Sequence, residues 1–120
     1  MFDMENKNSG AGMCHSEDEN EYARVEIGVS DGVISTAAWS CADDIYLEEC
    51  VRTVCAVIKD KPAADVLQMN NNAVYYNCEK ELPRTELYKA TLAVIAAKRA
   101  AADYCRKNNI KVPEGVCGCG

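Results

Sequence analysis

Residues 22–41 read "YARVEIGVSDGVISTAAWSC", and the period of this stretch, with the change of period after it, decides the fold. In "YARVEIGV", Val25, Ile27 and Val29 share one face of an extended chain while Arg24, Glu26 and Gly28 share the other. That two-residue alternation marks a half-buried strand. "SDG" at residues 30–32 is a tight-turn signal, and "VISTAAW" returns as a second strand, so the stretch predicts a hairpin.

After Trp39 the period becomes helical. "ADDIYLEECVRTVCAVIKD" places Leu47, Cys50, Val51, Val54 and Ile58 on one stripe, with Glu48, Glu49 and Arg52 on the remaining surface. Ser40 can cap this helix, and Asp43 and Asp44 suit the positive end of its dipole. Lys61-Pro62 interrupts it, and "PAADVLQM" follows as a short helix begun by proline. "NNNAVYYNCEKEL" predicts another short helix entered from an asparagine cap. Pro83 and Thr85 then introduce the longest helix, Glu86 to Lys107, with the stripe Leu87, Thr91, Val94, Ile95, Ala102 and Cys105. Its many alanines permit close approach to a sheet.

Strands first and helices after predict an α+β fold, a small antiparallel sheet with helices packed on one face. The expected organisation is a flexible arm over 1–12, one α+β domain over 13–110, and a mobile Cys-Gly tail over 111–120.

The composition narrows the partners. A chain of 120 residues with 48% apolar and 27% charged residues can bury one core. A formal charge of -6 argues against nucleic acid or an anionic membrane as partner and favours basic proteins or cations. Runs such as "TLAVIAA" are too short to span a bilayer, and the polar start has no apolar signal region, so a cytoplasmic location is expected. The chain has no phosphate-binding glycine loop and no serine-nucleophile motif, and a non-enzymatic role is expected.

Eight cysteines then need an explanation. Cys50 and Cys105 fall on the apolar stripes and read as small core residues, with Cys55 one residue off the first stripe. Cys78, beside Tyr75, Tyr76 and Asn77, receives no assignment. Cys41 stands where the second strand gives way to a helix, and a thiol at a helix N-terminus is expected to favour thiolate. Asp43 and Asp44 oppose that effect, yet could themselves support a metal ion. The tail "VPEGVCGCG" ends in Cys117 and Cys119, two thiols at a spacing that can ligate one metal, edge a cluster or form a disulfide. Cys14 lies on the polar arm. The expected site is therefore Cys41 with Cys117, Cys119 and Cys14, supported by Asp43, Asp44 or His15, a set that suits zinc or iron–sulfur chemistry. Outside that role His15 reads as a solvated histidine, and "HSEDENE" as a solvated acidic run.

The hairpin running into Cys41 resembles the IscU/NifU-type iron–sulfur cluster assembly scaffolds. "KDKPAADVL" is similar to that family's Lys-rich turn and short helix, and "ELPRTELYKATLAVIAAKRAAADY" to the Leu-Pro pair that leads into its long C-terminal helix. The resemblance covers about residues 20–107. In that family three cysteines and an aspartate hold a nascent cluster or zinc. Cys41 matches the second cysteine. The positions of the family's histidine and third cysteine hold Tyr88 and Lys89, and the region of the first holds Glu19 and Glu21. The resemblance implies a non-enzymatic scaffold that carries a transient iron–sulfur cluster, receives sulfur from a cysteine desulfurase and serves recipient apoproteins. The alternatives are a persulfide relay or thiol-redox protein without a cluster, and a zinc-binding domain of the same fold.

Overall fold

A computed structural model describes residues 7–111. Its three antiparallel strands, β1 (Ser9–His15), β2 (Tyr22–Ser30) and β3 (Val33–Cys41), lie in the order β1-β2-β3. In β2 the expected alternation is complete: Ala23, Val25, Ile27 and Val29 are buried, and the residues between them face outward. Ser30 pairs with Val33, so the hairpin loop is Asp31-Gly32. Both loop residues have positive φ, 54° and 80°, as a twist-matched two-residue turn requires. A bulge between Gly28 and Val29 shifts the register before the ladder runs on to Ala23↔Cys41.

The helices follow as expected. They are α1 (Ile45–Ile58), the short α2 (Ala63–Val66) and α3 (Asn72–Tyr75), a 3-10 turn at Arg84–Glu86, and α4 (Tyr88–Lys107). The fold is α+β, a three-stranded antiparallel sheet with four helices packed against it. Leu47, Cys50, Val51, Val54 and Ile58 are fully buried along α1, and each of the four aliphatic side chains among them contributes about 1.5–3 kcal/mol relative to exposure.

Three local expectations are corrected. Residues 9–12 belong to β1 rather than to a flexible arm. Gly10 and Gly12 face α4, where a Cβ would stand 2.1 Å from the Ala100 carbonyl oxygen and 2.4 Å from the Ala100 nitrogen. The strand is glycine-rich because helix backbone occupies the space that side chains would need. Ala93, Ala96, Ala97, Ala100 and Ala101 answer from α4, all buried. The helix also satisfies the outer edge of β1. Ala11 N–H donates to Asp103 at 3.0 Å, Arg99 donates to the Met13 carbonyl at 2.8 Å, and Lys107 donates to the Ser9 carbonyl at 3.3 Å. A strand edge covered in this way offers little to a passing chain.

The second correction concerns the start of α1. Asp44, not Ser40, is its cap, with one carboxylate oxygen accepting from the Tyr46 and Leu47 N–H groups, each at 2.9 Å. The third concerns Glu49, expected on the surface and found 2% exposed. Its carboxylate pairs with Arg52 and accepts the backbone N–H of Glu79 at 2.9 Å and of Lys80 at 3.4 Å. A buried carboxylate is tolerable when it is hydrogen-bonded and paired, and this one fixes the segment after α3 onto α1.

Candidate functional site

At one end of the sheet three chain segments meet: the end of the β1–β2 turn at Glu21, the end of β3 leading to Asp44, and the start of α4 at Tyr88 and Lys89. The group at their junction is Lys89, a lysine only 3% exposed. Its ammonium donates to Asp44 at 2.7 Å, pairs with Glu21 at 3.4 Å, and contacts Glu86 one turn earlier on its own chain. The Tyr46 and Tyr88 rings lie 5.8 and 5.7 Å from the same nitrogen, within cation–π range. Tyr88 closes the ring by donating its hydroxyl to Glu21 at 2.6 Å.

The protonation states follow from these contacts. Burial would push the Lys89 ammonium down, but Asp44 and Glu86 outweigh it and hold Lys89 above the usual lysine value. Burial would likewise raise the Asp44 carboxyl. The Lys89 ammonium and the Leu47 and Tyr46 N–H groups overcome that and hold it below the usual carboxylate value. Tyr88 is raised above the ordinary phenol value, mainly because its proton is held by Glu21.

Cys41 lies beside this cage, half-buried at the last ladder position of β3. The structure overturns the basis on which a thiolate was expected there. Cys41 pairs with Ala23, and the Ala42 N–H continues the sheet by donating to the Tyr22 carbonyl at 3.1 Å. The helix begins only after Asp44, so its free N–H groups are capped by that carboxylate instead of facing the sulfur. Burial pushes the Cys41 thiol up, and the charges of Glu48, Asp44 and Asp43 push it further. The residue is half-buried at the end of the sheet ladder, and its thiol is protonated in the neutral range.

The remaining expected ligands are placed as follows. Cys14 is buried in β1, paired with Ala23, so Cys14 and Cys41 flank Ala23 in one row of the sheet. Two strand spacings separate them, about 10 Å between backbones. Cys14 is thus part of the core wall and cannot swing to Cys41 on a mobile arm. His15 points to the opposite, exposed face, its Nδ1 3.1 Å from the Ser16 carbonyl oxygen. Asp43 is exposed, and Asp44 is engaged as cap and ion-pair partner. Cys117 and Cys119 lie outside the described residues. Among the described residues no group of three or more His, Cys, Asp and Glu side chains is placed to hold a metal ion. The donors of the frame alone do not fit a cluster: one protonated thiol stands beside carboxylates already engaged by Lys89.

Sequence reasoning passed over Lys89 as a site residue. The available signal was a lysine in register with Ala93, Ala96, Ala97 and Ala100, the face of α4 that packs on the sheet, with Glu86 three residues earlier. Compared with known proteins, the chain matches no family model and no curated protein.

Proposed function

We propose that the protein is a scaffold or carrier in iron–sulfur cluster assembly, of the IscU/NifU type, in which Cys41 receives sulfur. The observation that carries the reading is the meeting of the β1–β2 turn, the end of β3 and the start of α4 around Cys41, Asp44 and Lys89. These are the three places from which the resembled family draws its ligands. Here they supply one thiol and a carboxylate cage already closed on Lys89, so the frame is suited to accepting sulfur more than to holding metal.

In the sulfur step the Cys41 sulfur attacks the outer sulfur of a donor cysteine persulfide. A sulfur–sulfur bond forms at Cys41, the donor's sulfur–sulfur bond breaks, and the donor leaves as thiolate. Because the Cys41 thiol is held above its ordinary value, its proton must pass to a base during attack, and the departing donor thiolate can take it. The partners are a cysteine desulfurase and recipient apoproteins, the location is cytoplasmic, and iron with sulfide is cargo. Cluster retention would draw on Cys117 and Cys119.

A second reading, a persulfide relay that never holds a cluster, is favoured by Lys89. A buried ammonium locked among Glu21, Asp44 and Glu86 repels a metal cation where the family places a thiolate. Anaerobic reconstitution with iron and sulfide, read by absorbance and Mössbauer spectra, separates the two. The scaffold reading expects a cluster in the wild type that Cys41→Ser and Cys117→Ser/Cys119→Ser each reduce several-fold. Absence of a cluster in the wild type, with sulfur added to Cys41 by a desulfurase and cysteine, establishes the relay. A cluster undiminished in Cys41→Ser removes Cys41 from the function altogether.

A further inference from the structure

Cys50 and Cys78 have no part in the site above, yet the fold brings them together. Cys50 is fully buried on α1. Cys78 follows α3, its N–H donating to the Val74 carbonyl at 3.0 Å, and it is half-buried against the core that contains Cys50. Burial is the main reason the Cys50 thiol is raised, and the nearby Cys78 thiol adds to it. The approach of the two segments is built rather than incidental, because the residues flanking both cysteines are bonded to each other. Glu49, next to Cys50, is the buried carboxylate that accepts the N–H groups of Glu79 and Lys80, next to Cys78. The two thiols also differ in access. Cys78 lines a surface cleft with Tyr75, Leu82 and Leu87, whereas Cys50 sits behind it at 0% exposure.

From this arrangement we propose that Cys50 and Cys78 form a peroxide-responsive dithiol, with Cys78 the attacked thiol and Cys50 the resolving one. Hydrogen peroxide or an organic hydroperoxide enters from the cleft. The Cys78 sulfur attacks one peroxide oxygen, the O–O bond breaks, and Cys78 becomes a sulfenic acid as water or an alcohol leaves. The Cys50 sulfur then attacks the Cys78 sulfur, a disulfide forms, and the sulfenic hydroxyl leaves as water carrying the Cys50 proton. Two thiols are oxidised by two electrons and one peroxide is reduced. Burial keeps Cys50 protonated until that second step, which confines its reactivity to the neighbouring sulfur. The disulfide ties α1 to the segment after α3 and is reversed by a dithiol reductant. This inference is independent of the role assigned to Cys41.

The test is peptide mapping of the full chain after brief treatment with hydrogen peroxide, alkylated in denaturant without reductant. The expected product is a peptide pair joined through Cys50 and Cys78, lighter by two hydrogens and split by dithiothreitol, formed at least ten-fold faster than any other linkage. In Cys50→Ser, Cys78 should instead be captured as its dimedone adduct. The proposal is overturned if Cys50 remains fully alkylatable after oxidation of the wild type, or if Cys78 pairs first with another cysteine. Because the wild-type map decides, a variant that folds poorly does not leave the outcome open.

Discussion

Lys89 determines what the junction of the β1–β2 turn, β3 and α4 can do with charge. Its ammonium is 4% exposed on the side chain, while its partners Glu21, Asp44 and Glu86 are 24–27% exposed, so the carboxylates keep part of their solvation and the lysine does not. Removing the cation therefore leaves three like charges facing one another across a space that water fills only partly. Lys89→Met should cost about 2–3 kcal/mol at pH 7, at or below the lower end for breaking a buried pair because the carboxylates are partly wet. The cost should shrink on acidification. The Asp44 carboxyl is held below its ordinary value of 3.8 in the native fold, so its contribution is present above 3.8 and is lost as pH falls through the lowered value. In the variant the share of that lowering due to Lys89 is gone while the Leu47 and Tyr46 N–H groups remain, so protonation begins earlier and relieves the repulsion. Urea unfolding at pH 7 and pH 4 measures this. Equal penalties at the two values would mean that lost packing against Tyr46 and Tyr88, and not charge, accounts for the effect.

At the scale of elements, what the sequence made legible was what side-chain period encodes. The β2–β3 hairpin, the stripe of α1 and the extent of α4 all follow from apolar residues repeating at two or at three to four positions. β1 was illegible for a physical reason: its inward residues are Gly10, Gly12 and Cys14, so the strand announces itself by missing side chains, and the same letters read as a mobile arm. Glu49 was misjudged because its partners, the N–H groups of Glu79 and Lys80, lie in a distant segment and leave no mark near it in the chain. The Cys41 error had a similar origin. Strand and cap compete for residues 40–44, and the ladder to Ala23 wins two residues that helical propensity would have taken. The close approach of α4 to β1 yields a sharp expectation. At Gly12 a Cβ would lie within 2.4 Å of two α4 backbone atoms, which cannot move without displacing the helix. Gly12→Ala should destabilise by about 3 kcal/mol, at the upper end for overpacking. At Gly32, where the loop is open, alanine meets no atom within 4 Å and only the positive φ opposes it, a cost of about 1 kcal/mol. Chemical denaturation of the two variants should rank them in that order, and equal losses would refute helix-on-strand contact as the reason for the glycines.

At the scale of the whole molecule the thiols among the described residues divide by depth, and that division has a consequence at high pH. Burial pushes Cys50 and Cys55 up to about 12, and it also raises Cys41 and Cys105. In the unfolded chain these groups titrate near 9.0. Between 9 and 12 the native state therefore binds more protons than the unfolded state, so the stability these thiols contribute is whole below 9 and falls as pH rises through that interval. Each fully shifted thiol contributes a slope of about 1.4 kcal/mol per pH unit there. Lys89 acts in the same direction above its ordinary 10.5, since the native state holds its proton more tightly as well. In excess reductant, the wild-type urea midpoint should be nearly level from pH 7.5 to 9 and then drop steeply toward pH 10.5. Cys50→Ala/Cys55→Ala should begin lower, because it leaves space in the core, yet lose less over the same alkaline interval. The comparison cancels the tyrosines and lysines common to both proteins and isolates the two thiols. Parallel curves above pH 9 would show that their sulfurs reach solvent more readily than their burial on α1 allows, and would count equally against a Cys50 that waits, protonated, behind Cys78.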